Sequence, residues 1–419
     1  MKIGFFLARF PELSQTFILH QVLGLLERGH EVEVLCASEG PGARLHDAVR
    51  VAEERYSLRR TFLSRPESLL ARTAAVPWLI GATVARHPRE VARALDVRRY
   101  GWFAATGTVL HAARPLLGAP RRYDAIVAHF GPEGIVANAL RELSLLSGPL
   151  LTFFHGYDLT SAPRLAGRRM YGSLFRGGER FAAISDYGRR LLLGLGAPPE
   201  RTVVQHMGVD VERFRPRSSL PRESKRCLRV LSIGRLVEKK GFSLGIEAVR
   251  EGLGRGVSID YRIIGDGPLL GSLRMLARER GVSSVVRLTG PAGQEEVLRA
   301  LESSDVLIAP SVTSRDGDQE GIPMVLMEAM ACGLPVVASR HGGIPELVED
   351  ERSGMVVPEG DSSGVAEALA RLALDEGLRR TLGQAARGRV VSDFNLATQN
   401  ARLEALLVEL AQESRFERA

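Results

Sequence analysis

Cysteine is scarce: Cys36, Cys227 and Cys332 are scattered over 419 residues and odd in number. That count argues against a disulfide framework and a cysteine metal cage, and it points to a reducing compartment, the cytoplasm. No run of about 18 apolar residues occurs, so no segment is read as crossing a membrane. The opening stretch, Met1 to Ala8, is too short an apolar run for a signal peptide and is closed by Arg9, so it reads as a first strand. Lysine occurs only four times, at positions 2, 225, 239 and 240, and every other basic side chain is arginine. A GC-rich genome is enough to produce such a bias, and the pI of about 9.6 is therefore given no functional weight. The sequence shows no nucleic-acid-binding module and no aromatic platform, which leaves nucleic acid out of the expected partners.

With 45% hydrophobic and 25% charged residues, the composition is that of a globular chain of two domains with a core large enough to need no staples. The excess positive charge is local. Between Arg50 and Arg122 fourteen arginines stand against five acids, interleaved with Leu, Ala, Trp78, Trp102 and Phe103. Two readings stay open. One is a basic amphipathic face docking on anionic lipid at the inner face of the cell membrane, each charge near that surface contributing ~1 kcal/mol. The other is a set of solvated surface helices.

In chain order, Ile3 to Ala8 is a strand, Phe17 to Arg28 a helix closed by Gly29, and Glu31 to Cys36 a strand, the opening of a parallel sheet. After the arginine-rich, helical region come the strand Ala125 to Ala128 ending at His129, a helix from Gly134 to Leu146, and strands at Leu150 to Phe154 and Phe181 to Ile184. The pattern predicts a first domain over 1–205, a link over 206–225, a second domain over 226–390 and a returning C-terminal helix within 391–419. In the second domain, strands are expected at Leu228 to Ile233, Tyr261 to Ile264, Val285 to Leu288, Val306 to Ala309 and Val336 to Ala338, with helices between. Both halves read as doubly wound α/β sheets, in which ligands sit beyond the carboxyl ends of the strands. His155, Arg235, Asp266 and the segment from Pro310 to Glu328 lie there.

That segment carries the chemistry. Pro323 suits the first position of a short helix and Gly333 the residue just past its end. Glu328 then falls about one and a half turns in, half buried by Met327, Ala329 and Met330, where an unpartnered charge is costly and something polar must meet it. Free N–H groups at Gly321, Ile322 and Met324 would attract phosphate. One short stretch thus offers an anion site and two hydroxyl-accepting carboxylates, Glu320 and Glu328, as a nucleotide-sugar requires. Upstream, Gly234 to Gly241 puts Arg235 and Lys240 where they can grip a diphosphate and neutralise its developing charge on departure. His155, directly after an apolar strand, can donate to or accept from a sugar hydroxyl. Asp158 can orient it or cap a helix. Asp316, Asp318 and Glu320 cluster, but the segment lacks further ligands for a metal.

These residues carry a resemblance. The Gly-Arg-x-x-x-x-Lys-Gly loop with Arg235 and Lys240, Glu320-Gly-Ile-Pro with Glu328-Ala-Met-Ala-x-Gly-x-Pro-Val-Val-Ala, and Gly342-Gly343-Ile344-Pro345-Glu346 resemble the retaining glycosyltransferases of family 4. Arg9-Phe10-Pro11, Phe154-His155-Gly156-Tyr157-Asp158, His206-Met207-Gly208-Val209-Asp210 and Asp316-Gly317-Asp318 resemble its bacterial exopolysaccharide branch, such as the colanic-acid transferases. The resemblance covers nearly the whole chain and is weakest from Arg50 to Arg122. It implies a GT-B fold, two doubly wound Rossmann-like domains facing each other across a cleft, and transfer of a hexosyl group from a UDP- or GDP-type sugar. It implies catalytic roles for His155, Arg235, Lys240 and Glu320, and donor contacts from Arg235, Lys240, Gly265, Asp266, Glu320, Gly321, Ile322, Pro323, Met324, Val325 and Glu328. Ser14, Gln15, Thr16, His155 and Asp158 would contact the acceptor, although the Gly-Gly loop of many members is here Phe10 to Thr16. Attack by the acceptor hydroxyl on the face that the leaving phosphate vacates would need no cofactor, metal or protein nucleophile. The acceptor is a glycan or lipid-linked saccharide, or a soluble natural product such as an aminocyclitol. A sugar-nucleotide epimerase, a phosphorylase and a non-catalytic binding protein are the other readings.

Overall fold

The computed structural model describes residues 1–12, 15–40, 47–63, 65–66, 68–216 and 227–416. They divide into two compact units, Met1–Ile184 with Gly188–Gln205 and Asn400–Ala419, and Ser185–Tyr187 with His206–Gln399.

The strands of the first unit are β1 (Lys2–Arg9), β2 (Glu31–Ser38), β3 (Arg59–Phe62), β4 (Arg121–Arg122), β5 (Ala125–His129), β6 (Leu146–Ser147), β7 (Leu150–Phe154), β8 (Arg180–Ala183) and β9 (Thr202–Val204). Seven form one parallel sheet in the order β3-β2-β1-β5-β7-β8-β9, and β4 pairs with β6 beside it. β5 and β7 are buried along their whole length, as a parallel sheet covered on both faces requires. Each buried Leu, Val or Phe there contributes about 1.5–3 kcal/mol. The strand order reverses between β1 and β5, so their carboxyl ends open a crevice.

The arginine-rich region is not purely helical as expected. It begins with α2 (Asp47–Tyr56), which follows α1 (Thr16–Glu27), and then supplies β3 as the edge of the main sheet, Arg59 registering with Glu33. Short helices follow: α3 (Leu69–Ala74), α4 (Val76–Thr83), α5 (Pro88–Ala94), α6 (Val97–Tyr100), α7 (Trp102–Ala105) and α8 (Thr108–Ala113). Only α8 is buried throughout, and α4, α5 and α7 pack on it. The next helix, α9 (Gly131–Glu142), starts three residues earlier than the expected Gly134. The cause is distant in sequence: Asp158 Oδ2 accepts the Gly131 N–H at 3.0 Å and supplies the acceptor that the helix start lacks.

The last helix spans Leu396–Phe416, and its residues from Asn400 on belong to the first unit. Leu403, Leu407 and Leu410 are buried, Glu404 lies 2.7 Å from His30 Nε2 and 3.2 Å from Arg28 Nε, and Glu413 lies 2.7 Å from Arg180 Nη2.

The second unit has the strands β10 (Leu228–Ile233), β11 (Ile259–Ile264), β12 (Val286–Leu288), β13 (Val306–Ala309), β14 (Val336–Ser339) and β15 (Met355–Val357), one parallel sheet in the order β12-β11-β10-β13-β14-β15. The reversal falls between β10 and β13 and places the loops after both strands side by side. Of the expected link, residues 206–216 belong to this unit, where Val209 bridges Asn395. No helix among the described residues is long and apolar enough to cross a membrane.

Candidate functional site

The loops after β10, β11 and β13 are tied together in the second unit. Leu236 N–H donates to Asp266 O at 2.8 Å, and Val312 N–H to Lys239 O at 2.9 Å. Gly241 turns the chain at φ +66°, and a Cβ there would stand 1.8 Å from Pro310 O, so only glycine permits the crossing. Gly265 and Asp266 follow β11, and the exposed Asp266 carboxylate accepts its neighbour Gly267 N–H at 2.8 Å.

This arrangement brings the lysines onto the acidic segment. Lys240 Nζ lies 3.0 Å from Glu320 Oε1, and Lys239 Nζ lies 2.9 Å from Asp318 Oδ2 and 3.9 Å from Glu320. Burial opposes ionisation of Glu320, but the charges of Lys240 and Lys239 outweigh it and hold the carboxyl below its ordinary range. The Lys239–Asp318 pair was not among the expected contacts. Arg235 differs from both lysines: it is exposed and makes no ion pair among the described residues.

The helix after the acids spans Met324–Ala331, with Pro323 as its N-cap, one position before the place expected for it. Pro323 has ψ 125°, an extended conformation that ends the loop before helical bonding begins. At the other end Gly333, at φ +70°, donates to Met330 O and Leu334 N–H to Ala329 O, a Schellman closure as the glycine predicted. The amides of Gly321 and Ile322 have no hydrogen-bond partner among the described residues. Those of Met324 and Val325 lie in the first turn, where the helix itself supplies no acceptor. Four N–H groups are thus open to an anion. Glu328 was expected to meet a polar partner and meets none among the described residues. Burial pushes its pKa up to about 7, with only the charge of Arg213 opposing.

Sequence reasoning missed His341. Its Nε2 accepts the Glu320 N–H at 3.1 Å, its Nδ1 lies 2.8 Å from Glu359 Oε2, and Glu359 also accepts the Thr313 N–H at 2.6 Å. The buried ring therefore braces the backbone that carries Glu320. Beside it Gly342, at φ +55°, lies so near that a Cβ would meet Glu320 O at 2.1 Å. The available signal was the position of His341 just past the strand Val336 to Ala338, where ligands gather in this fold class.

In the first unit, His155 follows β7 and sits in a ring of aromatics, 4.5 Å from Phe130 and 4.9 Å from Phe17 between ring centroids. The structure removes Asp158 from the acceptor contacts. It is fully buried, and its carboxylate accepts backbone N–H groups from His155 and Gly156 at 2.9 Å and from Gly131 at 3.0 Å, which leaves it a structural cap. Burial raises its pKa against those bonds. Gln15 and Thr16, at the start of α1, have no side-chain partner among the described residues. Ser14 lies outside the described residues.

Known proteins resemble the chain over nearly its whole length. Residues 14–213 match the family model described as Glycosyltransferase Family 4, and residues 215–389 the one described as Glycosyl transferases group 1. The chain is 39% identical to the putative colanic acid biosynthesis glycosyltransferase WcaL of Salmonella typhimurium, over 97% of this chain and 99% of that one. It is 36% identical to the amylovoran biosynthesis glycosyltransferase AmsK of Erwinia amylovora, over 98% and 100%. Among solved structures it is similar to Anabaena Alr3699/HepE in complex with UDP and glucose, with a TM-score of 0.71 at 18% identity over 98% of this chain and 100% of that one. It is also similar to WaaG, a glycosyltransferase involved in lipopolysaccharide biosynthesis, with a TM-score of 0.67 at 17% identity over 97% and 99%.

Proposed function

Because the chain belongs to glycosyltransferase family 4, with the GT-B fold, we propose that it is a retaining transferase acting in exopolysaccharide biosynthesis. It moves a hexosyl group from a nucleotide-diphosphate sugar to a hydroxyl of a glycan or lipid-linked saccharide. The observation that carries this reading is the unsatisfied anion site of the second unit, where, among the described residues, Arg235 has no counter-ion and the amides of Gly321, Ile322, Met324 and Val325 have no acceptor. A diphosphate fills both needs. Glu328, half buried and unpaired among the described residues, takes the ribose hydroxyls, and Glu320 takes hydroxyls of the transferred sugar.

In the reaction, the acceptor oxygen bonds to the anomeric carbon as the bond from that carbon to phosphate breaks on the same face. The nucleoside diphosphate leaves with the electron pair and takes the acceptor's proton. Arg235 and Lys240 neutralise the charge that develops. No metal is assigned a part. Asp318 and Glu320, the carboxylates a cation would need, already face Lys239 and Lys240, and no group of three His, Cys, Asp or Glu is placed to hold a metal among the described residues. The test supplies UDP- and GDP-hexoses with a polyprenyl-linked saccharide and a chelator. One nucleoside diphosphate should be released per sugar transferred, with the donor's anomeric configuration kept. Inversion, a strict metal requirement, or donor turnover without acceptor would sink the reading.

A lipid-linked acceptor lies at a membrane, and the arginine-rich region supplies a surface for one. Leu70, Trp78, Val97 and Trp102 are 81%, 61%, 55% and 60% exposed, on or beside helices around α8. Arg86, Arg89, Arg93 and Arg98 are exposed and make no ion pair among the described residues, and the Arg114 guanidinium lies 4.8 Å over the Trp78 ring. Of the acids there, Asp96 caps α6. Free cations among exposed aromatics match an anionic interface. The double variant Arg89→Gln/Arg93→Gln should bind phosphatidylglycerol vesicles about 30-fold more weakly, at ~1 kcal/mol per charge. Equal binding to neutral phosphatidylcholine vesicles would contradict the lipid assignment.

A further inference from the structure

We propose that His129 is a positioning residue that decides which ring nitrogen of His155 carries the proton, so that His155 meets the saccharide as a hydrogen-bond donor through Nδ1–H. The inference rests on the reading of His155 as a sugar-contacting residue. It extends that reading to a second histidine and to the direction of the contact.

The two rings come from neighbouring strands. His129 ends β5 and registers with Phe153 of β7, and His155 follows two residues later. His129 is completely buried, with its ring stacked on Phe153 at 4.7 Å and 8° between planes, and on Phe5 at 6.0 Å. Its Nδ1 lies 3.0 Å from His155 Nε2. Phe130, next in the chain, takes φ +73°, unusual for a bulky residue, and its ring closes on His155. Burial pushes the His155 pKa down to about 3 and that of His129 well below its ordinary value, so both rings are neutral near neutral pH.

Two neutral imidazoles at this distance share one proton in one of two ways. Either His129 donates from Nδ1–H, which leaves its Nε2 bare and puts the remaining proton of His155 on Nδ1, or His155 donates from Nε2–H and His129 must carry its proton on Nε2. His129 Nε2 is buried and has no hydrogen-bond partner among the described residues. A buried N–H without an acceptor is the rarer and costlier defect, whereas an idle lone pair is better tolerated. The first arrangement is therefore favoured. His155 Nδ1 has no protein partner among the described residues, and its N–H is left to meet a sugar oxygen. A ring held in this tautomer cannot accept the attacking hydroxyl's proton, in keeping with transfer of that proton to the leaving phosphate.

The test is ring-nitrogen NMR on the full chain labelled at histidine, with His155 assigned by the loss of its signals in His155→Gln. His155 should show a protonated Nδ1 and a bare Nε2, and His129→Phe should shift it towards the other tautomer. A protonated Nε2 in the wild type, or a tautomer indifferent to His129→Phe, overturns the proposal. This readout needs no turnover, so it fails or succeeds separately from the transferase reading. Kinetics add an order of effects. His129→Phe keeps the ring stack but loses the donor and should lower kcat about tenfold with donor KM little changed, while His129→Asn keeps an N–H and should lose less. If Asn proves worse than Phe, His129 acts through packing and the proposal falls. Should His129→Phe fail to fold, the wild-type tautomer still decides.

Discussion

Lys240→Ala is expected to lower kcat by about a thousandfold, roughly 4 kcal/mol of transition-state stabilisation. Two losses combine. The developing diphosphate charge loses a cation, and Glu320 loses the ammonium at 3.0 Å while keeping Lys239 at 3.9 Å. Glu320 is only 8% exposed, so with a weaker counter-ion its carboxyl will tend to take a proton, and the unfolding temperature should fall as well. Lys240→Ala/Glu320→Gln separates the two effects. Without a buried charge to leave unpaired, the double variant should recover thermal stability but not turnover. Turnover within tenfold of wild type in the single variant would remove Lys240 from the reaction.

Glu328→Gln should act in opposite directions on stability and on binding. The folded-state pKa is raised to about 7 from an ordinary 4.5. Between those values the folded chain holds a proton that the unfolded chain has released, so stability falls as pH rises through that window and stays lowered above it. Glutamine carries no charge to bury. The variant should therefore melt higher than wild type above pH 7 and close to wild type below pH 4.5. Donor affinity should move the other way. A carboxylate accepting hydroxyls contributes about 1.5–3 kcal/mol, so the variant should bind donor roughly 10- to 100-fold more weakly. Wild-type affinity should strengthen as pH rises through 7, because the ionised form is the better acceptor. A melting difference independent of pH would show that Glu328 is not strained by burial, and an unchanged donor affinity that it is not in contact with ribose.

What was legible in the sequence is what depends on neighbours in the chain. The apolar runs of β1, β2, β7, β10 and β13 mark strands, and Gly333 marks a helix end, because pattern and backbone preference act within a few residues. The start of α9 was misplaced because its capping group, Asp158, comes from a later loop, and the same bond explains why Asp158 is a cap and not an acceptor contact. β3 was hidden because Arg59-Arg60-Thr61-Phe62 is an edge strand with little apolar content, recruited by pairing with β2. In the site, Arg235, Lys240, Glu320 and Glu328 stood out by type and position. Lys239–Asp318, His341–Glu359 and His129–His155 did not, since each is a pairing between loops or strands that only the sheet order brings together.

The central claim is that the second unit binds the diphosphate of a nucleotide-sugar through Arg235, Lys240 and the open amides of 321–325. Calorimetric titration of UDP and GDP into wild type, Arg235→Ala and Lys240→Ala tests it most directly. One of the two nucleotides should bind the wild-type chain, and each variant should bind it at least about tenfold more weakly, the loss of one charge-assisted contact. Equal affinity in all three proteins, or no binding of either nucleotide to the wild type, would contradict the account.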